Sequence, residues 1–155
     1  MIEVHEVLQE SLTASEQLVL PFELRQRSRL RATTASGTEL ALLLPRGTVL
    51  RDGDRLRAVN GLIIAVQAAT ESVSTARSDD VAQFARVCYH LGNRHMPLQV
   101  GAGWLRYLAD HVLDRMVAEL GLTVVHEQAP FEPEAGAYHQ HEHSGAGVFR
   151  RHHGH

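Results

Sequence analysis

The spacing of apolar residues changes once along this 155-residue chain, between about residues 69 and 78. Before that stretch, short apolar runs alternate with turn signals such as Asp52-Gly53, and no helical period appears. After it, apolar residues recur every three or four positions in two segments, as on the buried face of an amphipathic helix. The chain is therefore expected to fold as two successive units of different classes.

Residues 1–69 predict a small all-β domain, because their apolar runs have the length of strands and are bounded by turn residues. Asn60-Gly61 lies between the strand-like segments 55–59 and 62–66. Both residues tolerate a positive φ, so a type I′ hairpin is expected there.

Arginines occupy every second position from Arg25 to Arg31. In a strand, that spacing would place all four side chains on one face, most simply a solvated one. A protein or peptide contact is the alternative. Nucleic acid is not expected as a partner, because the net charge is −3 and no aromatic stacking platform accompanies the arginines.

Residues 70–135 predict two helices among four strands. Ser78 is expected to cap the first helix, whose apolar stripe is predicted to run from Val81 to Leu91 and to end at Gly92. Asp110 is expected to cap the second helix, which Gly121 would end. The predicted stripes are Val81, Phe84, Ala85, Cys88 and Leu91, and Leu113, Met116, Val117 and Leu120.

The strands of this second unit are predicted around Val73 and at 98–100, 104–108 and 122–125. The resulting order, β-α-β-β-α-β, is that of a ferredoxin-like domain. With the all-β domain before it, the chain is predicted to be of the α+β class.

Residues 136–155 are dominated by glycine and histidine and predict a flexible tail, because such a composition cannot bury enough surface to fold. The chain has 11 histidines, and six of them fall in this tail. Imidazole binds Ni, Cu, Zn and Fe when it is unprotonated. The tail is therefore predicted to bind metal, although composition does not select the metal. The predicted tail ligands are His139, His141, His143, His152, His153 and His155.

A further histidine, His95, lies on the connection between the first helix and the next strand. Pro97 disfavours the helical conformation just before it, so this connection is expected to be extended and exposed. A lone histidine in a loop is seldom a ligand, and chemistry alone leaves its role open. Cys88, His5, His90 and His126 are expected to be packing or surface residues.

The segment Tyr89-His90-Leu91-Gly92-Asn93-Arg94-His95, followed by Pro97-Leu98-Gln99, resembles the signature of the UreE family of urease accessory proteins. Asp110-His111-Val112-Leu113, the stretch from Phe131 to Tyr138 and the histidine-rich end also resemble that family. The similarity extends over essentially the whole chain.

The resemblance implies a homodimeric nickel metallochaperone that is not an enzyme. It implies a peptide-binding-like β-domain and a ferredoxin-like domain that dimerises, so that His95 and its two-fold mate hold one Ni(II) ion. It further implies delivery to apo-urease through an accessory complex that includes a GTPase. His111 is a possible second ligand, but Ala109 stands where some members have another histidine.

Two other functions are weighed against delivery. A histidine-based nickel or zinc store or buffer would use the tail but not His95. A metalloenzyme is disfavoured because the sequence has no His-Glu-x-x-His pair. Zn(II) or Cu(II) is expected to bind in vitro, since copper binds most histidine sites tightly.

The expected compartment is the cytoplasm. One cysteine cannot form an internal disulfide, the start of the chain does not resemble a secretory signal, and no apolar run is long enough to span a bilayer.

Overall fold

Residues 2–68 form a six-stranded sheet in the computed structural model, which describes residues 1–136. Its strands are β1 (Ile2–Leu8), β2 (Glu16–Leu20), β3 (Arg29–Thr33), β4 (Glu39–Leu43), β5 (Arg55–Ala58) and β6 (Ile63–Ala68). They lie in the order β2-β6-β5-β1-β4-β3. The β-rich first unit expected from the sequence is confirmed.

Alternate side chains of these strands fill the interior of the first sheet, as the two-residue period of a strand requires. Leu18, Leu40, Leu42, Leu56 and Ile64 are each fully buried. Burial of one such side chain contributes about 1.5–3 kcal/mol, so this cluster holds the sheet in one register.

The two edge strands of this sheet meet at one end. The backbone nitrogen of Ala35, in the turn after β3, donates to the carbonyl of Gln17 in β2 at 2.9 Å. The Glu16 carboxylate accepts hydrogen bonds from the hydroxyls of Ser36, Thr34 and Thr38, which together lower the pKa of that carboxyl. The sheet therefore curls until its edges touch, which removes part of the exposed edge.

The Asn60-Gly61 hairpin is confirmed, but its turn is not of type I′. Only Gly61 has a positive φ (91°), and its nitrogen donates to Ala58 O at 2.9 Å. Ala58 N donates in turn to Leu62 O at 2.9 Å. The loop is one residue longer than a type I′ turn and ends in a glycine bulge, and the Asn60 side chain accepts from Leu62 N rather than Asn60 supplying a left-handed backbone.

A one-turn helix, α1 (Phe22–Arg25), interrupts the first domain between β2 and β3. Four residues are too short to show a helical period, so the sequence did not predict it. Arg25 is fully buried at its end, whereas Arg27, Arg29 and Arg31 are exposed. The prediction that all four arginines share one solvated strand face is therefore wrong, because the chain turns helically at Arg25.

The second sheet has four strands in the order β10-β7-β9-β8, each antiparallel to its neighbours. Its elements are β7 (Thr70–Arg77), α2 (Val81–Asn93), β8 (Gln99–Val100), β9 (Trp104–Leu108), α3 (His111–Glu119) and β10 (Val124–Pro130). The predicted β-α-β-β-α-β order is confirmed. β10 runs five residues beyond its predicted end at Val125.

The two helices of the second sheet begin at aspartates. The Asp110 carboxylate accepts from Val112 N and Leu113 N, which confirms it as the cap of α3. The cap of α2 is Asp80 rather than Ser78, because the Asp80 carboxylate accepts from the first free backbone nitrogens of that helix.

The buried face of α2 differs from the predicted stripe. Val87 and Leu91 are fully buried, and Phe84 and Cys88 pack beside them. Val81 and Ala85, by contrast, face solvent. Within residues 1–136, no helix combines the length and apolar character needed to cross a bilayer.

Candidate metal site

His95 follows Arg94, the C-cap residue of α2. Its φ is 57°, and it is the only residue other than glycine with a positive φ within residues 1–136. Its backbone nitrogen donates to Gly92 O at 3.0 Å. Two predictions are therefore wrong: Gly92 is part of the helix and does not end it, and His95 is not extended.

The left-handed conformation at His95 is unfavourable for a side chain. A residue with a Cβ atom pays about 1–2 kcal/mol there, and helices commonly place glycine at this position. Histidine is tolerated better than most residues. The imidazole is exposed, so no burial compensates for the strain. Backbone strain under an exposed, chemically active side chain makes His95 a candidate for a functional position.

His95 lines a groove of about 260 Å³ between the two domains. The first domain lines this groove with α1 and the loop before β5. The second domain lines it with the connection that carries His95 and with the chain that leaves β10. Its lining residues include Phe22, Val49, Arg51, Met96, Pro133 and Gly136.

The chain leaving β10 is tied to both sides of the groove. Glu132 N donates to Gln99 Oε1 at 2.9 Å, and Glu134 N donates to Leu98 O at 2.8 Å. On the other side, Arg51 Nη1 donates to Pro133 O at 2.7 Å. We call residues 131–134 the strap, because they hold the connection after His95 against the first domain.

Arg25 fixes the strap from within the first domain. Its guanidinium donates to the carbonyls of Leu20, Leu50 and Phe131 and lies 3.3 Å from Glu132 Oε1. Burial lowers the pKa of this group, whereas the Glu132 carboxylate raises it. An arginine remains cationic under such a shift. No local pattern indicates this role, since Arg25 stands in the chain as the first of four alternating arginines.

His111, the other predicted ligand within the folded domains, is exposed at the first turn of α3. It lines a separate pocket of about 360 Å³ with Asp110, Asp114 and His126. The structure therefore does not bring His111 and His95 to one pocket. His126 was expected to be a packing or surface residue, and the extra length of β10 places it beside α3.

Asp114 is the centre of a hydrogen-bonded group in this second pocket. Tyr107 OH donates to Asp114 Oδ1 at 2.7 Å, and His126 Nε2 lies 2.7 Å from Asp114 Oδ2. Burial raises the pKa of the Asp114 carboxyl, but the hydrogen bonds from His126 and Tyr107 outweigh it, so the pKa lies below its usual value. Burial and the adjacent Asp114 raise the pKa of Tyr107.

No group of three or more histidine, cysteine, aspartate or glutamate side chains within residues 1–136 is placed to hold a metal ion. His95 therefore offers a single ligand in one copy of these residues. Cys88 is half-buried in the core of the second domain, and burial raises the pKa of its thiol, as expected of a packing residue. The tail histidines at positions 139, 141, 143, 152, 153 and 155 lie outside the described residues.

Comparison with known proteins decides the family. Residues 2–69 match the model of the N-terminal domain of the UreE urease accessory protein, and residues 71–155 match the model of its C-terminal domain. The chain belongs to the UreE family. The resemblance noted in the histidine-containing signature is thereby confirmed.

Relatives from several bacteria share about half of their residues with this UreE family member. The urease accessory protein UreE of Alkalilimnicola ehrlichii is 57% identical over 138 residues, which cover 89% of this chain and 85% of that protein. The corresponding protein of Proteus mirabilis is 51% identical over 131 residues, covering 82% and 81%. UreE proteins are accessory chaperones of urease maturation rather than enzymes, in agreement with the prediction.

Proposed function

We propose that this UreE protein is a nickel metallochaperone, in which two His95 imidazoles from a homodimer hold one Ni(II) ion for delivery to apo-urease. The observation that carries the proposal is the exposed His95 side chain on a strained backbone at the end of α2. Imidazole is a suitable nickel ligand. A site with few ligands suits a carrier, because a closed coordination shell would retain the metal.

A two-fold dimer supplies the second ligand that one chain lacks. Symmetry presents every residue of a two-fold interface twice, so a residue near the axis meets its own copy. In this arrangement, one exposed histidine per chain becomes a pair of ligands.

The outer face of α2 is the proposed dimer surface, because it is apolar and leads to His95. Val81, Ala85 and Tyr89 are exposed at intervals of four residues, which places them on one side of the helix. Val81 is 84% exposed and Tyr89 is 64% exposed. A second copy packed on this face with its α2 parallel to the first would bury both side chains and bring the two His95 residues together at one end.

The tail is proposed to complete the coordination of nickel. Gly136 lines the same groove as His95. His139 follows three residues later, and three residues span at most about 10 Å. The tail, residues 136–155, therefore begins within reach of the His95 imidazole.

His111 is proposed as an auxiliary ligand. Its imidazole is exposed beside a pocket that does not include His95, and imidazole binds divalent metals. This site would load separately from the one at His95, because the two histidines lie in different pockets.

Delivery is proposed to take place in the cytoplasm, through a complex of urease accessory proteins that includes a GTPase. The names of the relatives, which are urease accessory proteins, support the link to urease. Zn(II) or Cu(II) is expected to occupy the same histidines in vitro, because copper exceeds nickel in affinity for most such sites.

The proposal is tested by nickel titration of the full-length His95→Asn protein, with metal per dimer read by calorimetry and mass by light scattering. Asparagine tolerates the left-handed backbone but does not offer an imidazole. We expect the tightest nickel site per dimer to be lost while the dimer persists. His5→Asn, which removes an exposed histidine from β1, is the matched control and should bind as the native protein does.

Storage or buffering is the second candidate function, favoured by the six histidines of the tail. A buffer would keep its tightest site in His95→Asn and lose most of its capacity when the tail histidines are replaced by glutamine. Retention of the tightest site in His95→Asn, or a monomer under all metal conditions, would reject the carrier in favour of the buffer.

A further inference from the structure

The strap, residues 131–134, alternates its backbone contacts between the two domains. The carbonyls of Phe131 and Pro133 accept hydrogen bonds from Arg25 and Arg51 of the first domain. The backbone nitrogens of Glu132 and Glu134 donate to the second domain, to the Gln99 side chain in β8 and to Leu98 O just before it. This is the two-residue alternation of an extended chain with partners on both sides.

The contacts on the first-domain side are strong. Arg25 is fully buried, and its guanidinium also donates to Leu20 O and Leu50 O, both at 3.1 Å. The Glu132 carboxylate accepts from Asp52 N at 2.9 Å and faces Arg25. The Phe131 ring lies edge-on to Phe22, with 5.7 Å between the ring centroids. The strap is thus fixed to the first domain by a buried cation and an aromatic pair.

We propose that Arg25 and Arg51 are positioning residues for the nickel site: they hold the strap so that Gly136, where the tail begins, stays beside His95. Neither side chain needs to touch the metal. The first domain would thereby contribute to metal binding by the second. This inference rests on the proposed function, in which tail histidines join His95 around nickel.

The physical basis is effective concentration. A tail histidine binds a metal already held at His95 as an intramolecular step, whose strength depends on the distance between the tail's starting point and that metal. Release of the strap from Arg51 or Arg25 would let this starting point move away from the groove. The tail would keep its histidines, but their effective concentration at the metal held by His95 would fall.

A double-mutant cycle on the full-length chain tests the proposal. One arm replaces the six tail histidines by glutamine, and the other replaces Arg51 by methionine. Nickel affinity is measured for the four proteins by competition with a chelator. Arg51 is partly exposed, so Arg51→Met is expected to fold. Arg25→Lys, which keeps the charge but lacks the planar fork, is the second variant.

In the native background, loss of the tail histidines should weaken nickel binding at least about tenfold. In the Arg51→Met and Arg25→Lys backgrounds, replacement of the tail histidines should weaken nickel binding only about twofold. Arg29→Met removes an exposed arginine from β3 and should leave the tenfold effect intact. Replacement of Arg25 or Arg51 should change affinity little once the tail histidines are gone.

An equal effect of tail replacement in all backgrounds would overturn the proposal and leave the two arginines with a structural role alone. No effect of tail replacement in the native background would also overturn it, together with the proposed role of the tail. Neither result bears on His95 as the principal ligand, because His95→Asn reports on that site separately.

Discussion

Arg25 and Phe131 lie 106 residues apart in the sequence, yet the buried guanidinium of Arg25 donates a hydrogen bond to the backbone carbonyl of Phe131. The two residues belong to different domains, and their contact is closed to solvent because both are fully buried. This contact fixes the junction between the two domains, and the groove beside His95 is part of that junction.

Replacement of Arg25 by methionine should lower the free energy of unfolding by about 3 kcal/mol, since it leaves three carbonyls and the Glu132 carboxylate without their cationic donor. Urea denaturation followed by circular dichroism measures the change. Arg29→Met, at an exposed position of β3, should stay within about 0.5 kcal/mol of the native protein. Equal stabilities of the two variants would contradict the role assigned to Arg25.

The backbone at His95 predicts an unusual order of stabilities. His95→Gly should be more stable than His95→Ala by about 1 kcal/mol, because glycine adopts a φ of 57° without steric cost and alanine does not. Thermal unfolding of the two apo proteins measures the difference. At exposed Ala85, within α2, the order should reverse, so that Ala85→Gly destabilises by about the same amount.

The ionised carboxylate of Asp114 should account for part of the free energy of unfolding that the protein loses in acid. Its pKa is lowered in the folded protein, so the carboxylate stabilises the fold above the unfolded-state value of about 3.9. That contribution is lost as the pH falls through the lower, folded-state pKa. The stability of Asp114→Asn should therefore decline less between pH 6 and about pH 3 than that of the native protein.

Chemical denaturation at a series of pH values measures this difference. Asp79→Asn, a change at an exposed residue before α2, serves as the control and should follow the native pH profile. Parallel profiles for Asp114→Asn and the native protein would show that the hydrogen bonds from Tyr107 and His126 do not favour the ionised carboxyl.

Nickel affinity should fall steeply between about pH 7 and pH 5, because protons compete with metal for imidazoles whose ordinary pKa is about 6.5. Calorimetric titration across that range measures the decline. An affinity that stays constant would exclude histidine as the main ligand.

The proposed dimer should persist over the same pH range in the absence of metal, since exposed apolar residues of α2 supply its contact.

Most of the second domain was predictable because its signals are local. Asp110 and Gly121 mark the two ends of α3, and strand β9 was predicted with its observed limits. A cap requires only a carboxylate followed by free backbone nitrogens, and Gly121 adopts a φ of 101° that few other residues tolerate. Such preferences act within a few residues and can be found by inspection of the chain.

The position of His95 was only partly predictable. The sequence placed it after a helix and before Pro97, on an exposed connection. It pointed to Gly92 as the end of the helix, because glycine usually takes the left-handed position. The structure continues the helix to Asn93 and gives that conformation to His95. Packing of Leu91 in the core supports this last turn, and packing depends on the whole domain.

By itself, the sequence determined the two-domain order, the caps of α3 and the family to which the chain belongs, because all of these are written in local patterns and motifs. Only the tertiary structure decided which arginine is buried, which face of α2 is exposed and where the chain toward the tail leaves the fold. Those outcomes depend on contacts such as Arg25 with Phe131, between residues far apart in the chain. No periodicity or local preference records such contacts, because they form only when both domains are folded.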